Sequence, residues 1–353
     1  MNAVKLLEAL LSIKYDEVKR FLVPKDKVDK ELAVPKGKTV NVWVVLEAQN
    51  ELLIRHEGGD DVTEFEVKGI TVPGILNTKL QAVTRRQMLR TLYSFKERNS
   101  EKMQDLYELA KKYNISTAEK LKDWICYITP GARSQKKKEE EVMKGGYCMT
   151  CPNCMIFGYV AGEGGTYNVK SRVEGDAYFG LCPSKLCVVR RTFNAVDDVT
   201  KTTIMEGGET GALFTLSLVE PGTVFVGKLA LRDMSAAELL LTLHSLAKVD
   251  RIGGRVTHFG KVKVHIPAVT FDEFEIGSGY EVAKALVGDR KVDLEEAINK
   301  VTEVAKGRVV VRKRDLADEL RGLGTEELDA ITEEAWKDVL TFKASIESLI
   351  FGR

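Results

Sequence analysis

Val40-Asn41-Val42-Trp43-Val44-Val45-Leu46 follows the turn Pro35-Lys36-Gly37-Lys38. A run this rich in Val and Trp reads as a buried strand. Gly58-Gly59-Asp60-Asp61 ends the hairpin-like stretch after it, and apolar residues then recur at helical spacing over 80–96 and 102–113. Further strands are predicted at 155–160, 177–181, 188–194, 213–219 and 224–231. Ser235 and Glu238 make a capping box ahead of Leu239, Leu240, Leu243 and Leu246, so a helix starts there. A strand over 255–266 and helices over 280–286, 293–306 and 325–342 complete the pattern. Strands and helices come in clusters, which suits an α+β fold and fits a doubly wound sheet poorly. Gly162-Glu163-Gly164-Gly165 and Gly207-Gly208 precede no capped helix, so they read as hairpin turns rather than phosphate loops.

The 353 residues are 44% hydrophobic, enough for a sizeable core in one large or two ordinary domains. No apolar run approaches the roughly 18 to 20 residues that span a bilayer. Residues 4–23 mix Lys5, Glu8, Lys14, Asp16, Glu17, Lys19 and Arg20 into apolar positions, the pattern of an amphipathic helix and not of a signal peptide. Six cysteines without a secretion signal indicate a reducing compartment, taken here as the cytoplasm. A net charge of +1 gives no hint of a partner, so any basic surface must be local, and no membrane partner is expected.

Tyr147-Cys148-Met149-Thr150-Cys151-Pro152-Asn153-Cys154 constrains function more than any other spacing. Three thiols on one tight turn aim soft sulfur ligands at one point, so the run reads as a metal site awaiting a fourth ligand, with zinc the first expectation. The same spacing opens an iron–sulfur signature for which Cys182-Pro183 could supply the remaining cysteine, so an iron–sulfur redox or radical enzyme is the alternative.

No catalytic frame stands out. None of the four histidines, at 56, 244, 258 and 265, sits in a ligand or nucleophile motif. Basic residues do cluster. Lys79, Arg85, Arg86, Arg90, Lys96 and Arg98 face the single acid Glu97, and 251–263 contains Arg251, Arg255, Lys261 and Lys263 with no acid. Strand alternation puts Lys261, Lys263 and His265 on the face opposite Val262, Val264 and Ile266. Lys170, Arg172, Arg190 and Arg191 form a weaker group. Acid-poor clusters beside a metal knuckle and glycine loops point to nucleic-acid backbone binding. Gly253 and Gly254 would let a strand approach closely, and Tyr93, Phe95 or Phe259 could stack on bases.

Cys151-Pro152-Asn153-Cys154-Met155-Ile156-Phe157-Gly158-Tyr159, Lys170-Ser171-Arg172-Val173, Asp176-Ala177-Tyr178-Phe179, Thr192-Phe193-Asn194-Ala195, Leu231-Arg232-Asp233 and Arg251-Ile252-Gly253-Gly254 with Gly260, in this order over about 120–270, resemble the backbone subunit of the type I-D CRISPR effector complex. The resemblance implies a modified RNA-recognition-motif core of ferredoxin-like topology, copies of which polymerise along a guide RNA with other effector subunits and present its spacer to invading DNA. It implies a binding protein and not an enzyme, with DNA cut by a partner. Related subunits of other CRISPR types cut RNA with a loop aspartate, for which Asp60, Asp61, Asp197 and Asp198 are the loop candidates here. Family members usually carry a cysteine ahead of the run, and Cys126 in Ile125-Cys126-Tyr127 is the similar residue, giving a structural zinc on Cys126, Cys148, Cys151 and Cys154 with Cys182 or Cys187 as alternatives for the fourth place. Lys136-Lys137-Lys138-Glu139-Glu140-Glu141 reads as an insertion between them. The expected organisation is a discontinuous core of 1–78 and 165–290, a lid-like helical insertion at 79–125, a zinc-binding insertion at 126–164 and C-terminal helices at 291–353. The expected RNA contacts are Lys79, Arg85, Arg86, Arg90, Lys170, Arg172, Arg251, Arg255, Lys261 and Lys263.

Overall fold

The computed structural model describes residues 2–55, 62–128, 146–161, 167–194 and 213–352. Its strands, in chain order, are β1 (Thr39–Ala48), β2 (Glu64–Val67), β3 (Ile70–Ile75), β4 (Val173–Gly175), β5 (Tyr178–Gly180), β6 (Val188–Asn194), β7 (Leu213–Val219), β8 (Val224–Arg232), β9 (Val262–Asp272) and β10 (Val309–Arg312). The run 40–46 forms the middle of β1, which pairs antiparallel with β8 on one side and β9 on the other. The sheet runs β10-β9-β1-β8-β5-β3-β2, β4 also pairs with β8, and β6 and β7 form a separate hairpin.

Alternation along β1 divides the core. Val40, Val42, Val44 and Leu46 face one layer of helices, and Trp43 and Val45 face another. The first layer contains Ala236–Ala247, every residue of which is buried, as expected of a helix apolar on nearly all sides. Around it pack Ala3–Leu11, Asn77–Arg98, Leu316–Arg321 and Thr325–Phe351. Gly279–Leu286 and Leu294–Val304 cover the second face. The fold is mixed α and β with both sheet faces covered.

Several boundaries shift for physical reasons. The stretch expected as strand over 155–160 is helical as far as Phe157, because Cys151 is extended and Pro152 sits at the first helical position. The strand expected to start at 255 starts at Val262, since 251–260 is a glycine-bearing loop. The amphipathic segment 4–23 breaks at Ser12, whose φ of 52° ends Ala3–Leu11. His265, expected outward, is buried. His56, Gly58-Gly59-Asp60-Asp61, the Lys136–Glu141 tract, Gly162-Glu163-Gly164-Gly165, Asp197, Asp198 and Gly207-Gly208 lie outside the described residues.

The capping box at Ser235 also holds a buried charge cluster. Glu238 accepts from Ser235 N–H at 3.0 Å, from Arg172 Nη1 and Nη2 at 2.9 and 2.5 Å, and from the Lys25 ammonium. Phe342 lies under both cations, 4.7 Å from Arg172 and 5.2 Å from Lys25. Four separate parts of the chain are thereby tied at one point. Burial opposes ionisation of Glu238, but Arg172 and Lys25 hold its carboxyl down at about 2. Arg172 is thus a structural cation rather than the RNA contact expected from charge, because its donors are consumed by Glu238 and by the carbonyls of Met155 and Asp233.

Truncating Arg172 to Ala should cost about 3 kcal/mol in denaturant unfolding, because Glu238 keeps its charge with one cation fewer. Acid should destabilise the fold in two steps. Burial lowers His244 and His265 to about 4, so the stability they contribute is complete above their ordinary value of 6.5 and is lost as pH falls through 4. The Glu238 contribution is complete above 4.5 and is lost as pH falls toward 2. A thermal midpoint that stays flat from pH 7 to pH 4 would contradict the first step.

Candidate metal centre and nucleic-acid interface

Cys126, Cys148, Cys151 and Cys154 are all buried, with their Sγ atoms within 4.8 Å of one another. Cys126 Sγ and Cys148 Sγ lie 3.5 and 3.8 Å from Cys154 Sγ. Sulfurs bound at about 2.3 Å around a tetrahedral ion stand about 3.8 Å apart, so the set fits a single ion with all four positions filled by protein. A four-iron cube puts each thiolate on a different iron, which sulfurs already in contact do not match. Cys182 and Cys187 are not part of this set. Both thiols instead donate to the Pro183 carbonyl, at 3.5 and 3.4 Å.

The local chain explains the convergence. Met149 takes a left-handed φ of 64°, turning the run back, and the N–H groups of Thr150 and Cys151 point at Cys148 Sγ from 3.4 and 3.2 Å. The Trp124 indole N–H reaches the same sulfur at 3.4 Å. Burial pushes the Cys151 and Cys154 thiols well up. Burial works against Cys148 too, yet hydrogen bonds from the other three cysteines and the Thr150 N–H hold it well below the usual thiol range. Donors aimed at a sulfur also steady it as a metal-bound thiolate.

Aromatic contacts fasten this centre to the helical layer. Trp124 lies 4.8 Å from the Tyr93 ring and packs edge-on against Trp336 at 5.4 Å. Tyr93 OH donates to the Cys126 carbonyl at 2.8 Å and accepts its N–H at 3.0 Å. Arg85 donates to the Gly158 carbonyl at 3.1 Å with its guanidinium over the Tyr147 and Phe157 rings. Tyr159 and Tyr167 meet Lys343 of the terminal helix, which pairs with Glu347 at 3.1 Å. Tyr93 and Arg85 therefore serve the seam between the metal centre and Asn77–Arg98, and Phe95 is fully buried, so neither aromatic is placed to stack on a base.

The remaining basic residues divide sharply. On Asn77–Arg98, Lys96 donates to the Trp124 carbonyl and Arg98 pairs with Asp329, while Arg86 and Arg90 are exposed and Lys79 is half-buried. Gln87 links this face to the next cluster, donating to Asp250 at 3.3 Å and accepting from Arg90 at 3.3 Å. The loop after Asp250 is pinned by Arg251, which donates to the carbonyls of Val256 and Phe259 at 2.7 and 3.0 Å. Gly253 has φ +98°, and a Cβ there would stand 2.5 Å from the Leu53 carbonyl, so this glycine serves packing inside the chain rather than approach by a ligand. Arg255, Lys261 and Lys263 are exposed.

The third group comes apart. Arg190 and Arg191 stand exposed on β6 beside the loop, with Phe193 against Phe259 at 5.8 Å and Arg191 3.6 Å from Glu51. Lys170 is exposed elsewhere, paired with Glu174 at 3.0 Å, and Arg172 is buried on Glu238. Gln87 thus ties the helix of Arg86 and Arg90 to the loop after Asp250, and Phe259 ties that loop to the β6–β7 hairpin. Sequence spacing could not find this union, because the links are Gln87 to Asp250 and Phe193 to Phe259, across more than sixty residues each. The Lys25–Glu238–Arg172 cluster did carry a signal: a capping glutamate followed by an all-apolar helix must be buried and needs cations.

No curated protein matches the sequence. Among solved structures, the crystal structure of Thermofilum pendens Csc2 superposes with a TM-score of 0.69 at 23% identity, covering 96% of this chain and 97% of that one. A chain of a CRISPR RNA-guided surveillance complex in a pre-nicking state gives 0.48 at 11% identity over 75% and 87%. Another, from a CRISPR RNA-guided surveillance complex, gives 0.44 at 10% over 75% and 81%. The family model described as Csc2 Crispr matches residues 23–346, and the chain belongs to that Csc2 CRISPR family.

Proposed function

We propose that this chain binds CRISPR guide RNA as a repeating backbone subunit of a type I-D interference complex. It contacts phosphates without reading sequence and presents the spacer for pairing with target DNA. The observation that carries this reading is membership of the Csc2 CRISPR family, supported by the exposure of Arg86, Arg90, Arg255, Lys261 and Lys263 and by the Gln87–Asp250 hydrogen bond that ties the helix of Arg86 and Arg90 to the basic loop. Flexible charged side chains at a groove suit any spacer, because they meet phosphates and leave base edges free.

The core is read as a modified RNA-recognition motif made of 1–78 and 165–290. Its support is the antiparallel order β9-β1-β8-β5, with Ala236–Ala247 joining β8 to β9. Residues 79–125 form the helical insertion, 126–164 the metal-bearing one, and 291–353 pack on the core. The metal is zinc and its role structural, since four buried thiols leave no position open for water or substrate. Partners are guide RNA, further copies of this chain, other effector subunits and target DNA, in the cytoplasm. Among the described residues no helix is long and apolar enough to cross a membrane. The chain's part is binding, with cutting left to another subunit.

The purified chain should contain one zinc, and Cys151→Ser or Cys154→Ser should lose it and loosen 146–161 against Asn77–Arg98 in hydrogen exchange. Unchanged metal content in both variants would overturn the ligand set. Affinity for single-stranded RNA should fall steeply with salt and vary little among unstructured sequences of equal length. Replacing Arg86 and Arg90 together by Ala, or Lys261 with Lys263, should weaken binding several-fold and lower the salt slope by roughly 1.4 in each case, at about 0.7 per phosphate contact, while leaving the thermal midpoint nearly unmoved. Parent-like binding by both double variants would put the groove elsewhere.

A further inference from the structure

The two cysteines outside the metal centre form a pair of their own. Cys182 follows β5 and Cys187 immediately precedes β6, with the single helical turn Ser184–Cys187 between them. Both side chains are fully buried. The two Sγ atoms share the Pro183 carbonyl, at 3.5 and 3.4 Å, and Cys187 Sγ also lies 3.7 Å from the Cys182 carbonyl. One carbonyl oxygen within reach of both sulfurs places the two thiols side by side. The turn between them carries Lys185 and Leu186 exposed on the surface. A helix of one turn has little stability of its own, so brief opening admits a small oxidant.

We propose that Cys182 and Cys187 are a redox-active dithiol that closes to a reversible disulfide and staples the root of the β6–β7 hairpin. The two sulfurs differ in the way such chemistry needs. The neighbouring Cys187 thiol lowers the Cys182 thiol, aided by the Lys291 ammonium, whereas the neighbouring Cys182 and burial push Cys187 up. Lys291 is held over this site by its hydrogen bond to the Pro221 carbonyl at 2.9 Å. With hydrogen peroxide as oxidant, the Cys182 thiolate takes one peroxide oxygen to become a sulfenic acid, and hydroxide leaves and is protonated to water. The Cys187 thiol then attacks that sulfur, the S–S bond forms and a second water leaves. Two thiols and one peroxide thus give one disulfide and two waters.

The staple bears on the proposed RNA surface because the Cys187 carbonyl accepts the Glu220 N–H at 2.9 Å, where β7 ends, and β6 carries Arg190, Arg191 and Phe193 to the loop after Asp250. Oxidation fixes the hairpin's base while leaving the metal-bound cysteines reduced. The dithiol itself stands whether or not RNA binds there.

The zinc-loaded chain should be exposed to graded hydrogen peroxide, alkylated and cut with trypsin at Lys185. The expected result is that Cys182 and Cys187 lose alkylation together, that peptides 173–185 and 186–190 stay joined until a dithiol reductant is added, and that exchange slows in 188–194 and 213–219. In Cys187→Ser, Cys182 should instead trap a sulfenic-acid probe such as dimedone. Alkylation of both cysteines persisting at peroxide levels that release zinc, or overoxidation of Cys182 with no joined peptides, would overturn the proposal.

Discussion

Four sulfurs within 4.8 Å of one another, delivered by chain segments twenty-two residues apart, are the constraint on which this side of the molecule depends. As four thiols they are poorly satisfied in a buried site; around one tetrahedral ion each becomes a ligand, and binding energy becomes folding energy. Everything attached inherits that order. Trp124 reaches Cys148, stands on Trp336 and stacks near Tyr93, while Arg85 clamps Gly158 from the long helix Asn77–Arg98. The face of that helix which carries Arg86 and Arg90 is oriented partly by what Arg85 and Tyr93 hold on its other side.

Charge in this chain is separated by use rather than by sign. Arg172, Lys25, Lys96 and Arg98 are committed to internal carboxylates and carbonyls, and Lys228 is wholly buried against Glu275. Such cations hold elements together at fixed angles. Arg86, Arg90, Lys261 and Lys263 remain on the surface, where any single contact with an anion would be weak and only a sum of contacts would bind tightly. A near-zero net charge is therefore compatible with a strongly basic local field.

Much of this was legible in the residues. The 40–46 run sits at the centre of the sheet, the capping box at Ser235 starts its helix, and strands 188–194 and 213–219 occur as their alternation indicates. The cysteine run converges with Cys126, the residue that family resemblance rather than spacing singled out. What stayed hidden depends on partners far away in the chain. Arg172 and Arg86 both belong to basic clusters in the sequence, and only the tertiary fold buries one on Glu238 and exposes the other. Short strands such as β2 and β10 carry too few residues for a period, and Met155-Ile156-Phe157 reads as strand until the thiol turn and Pro152 force it into helix.

The most direct test of the account is photocrosslinking of the zinc-loaded chain to a thiouridine-containing single-stranded RNA, with the attached peptides mapped by mass spectrometry. The account predicts adducts on the peptides containing Arg86 and Arg90, on 251–263 and on β6, with none on the buried side of Arg172. Adducts confined to the Lys170 surface, or absent from all three predicted segments, would contradict it.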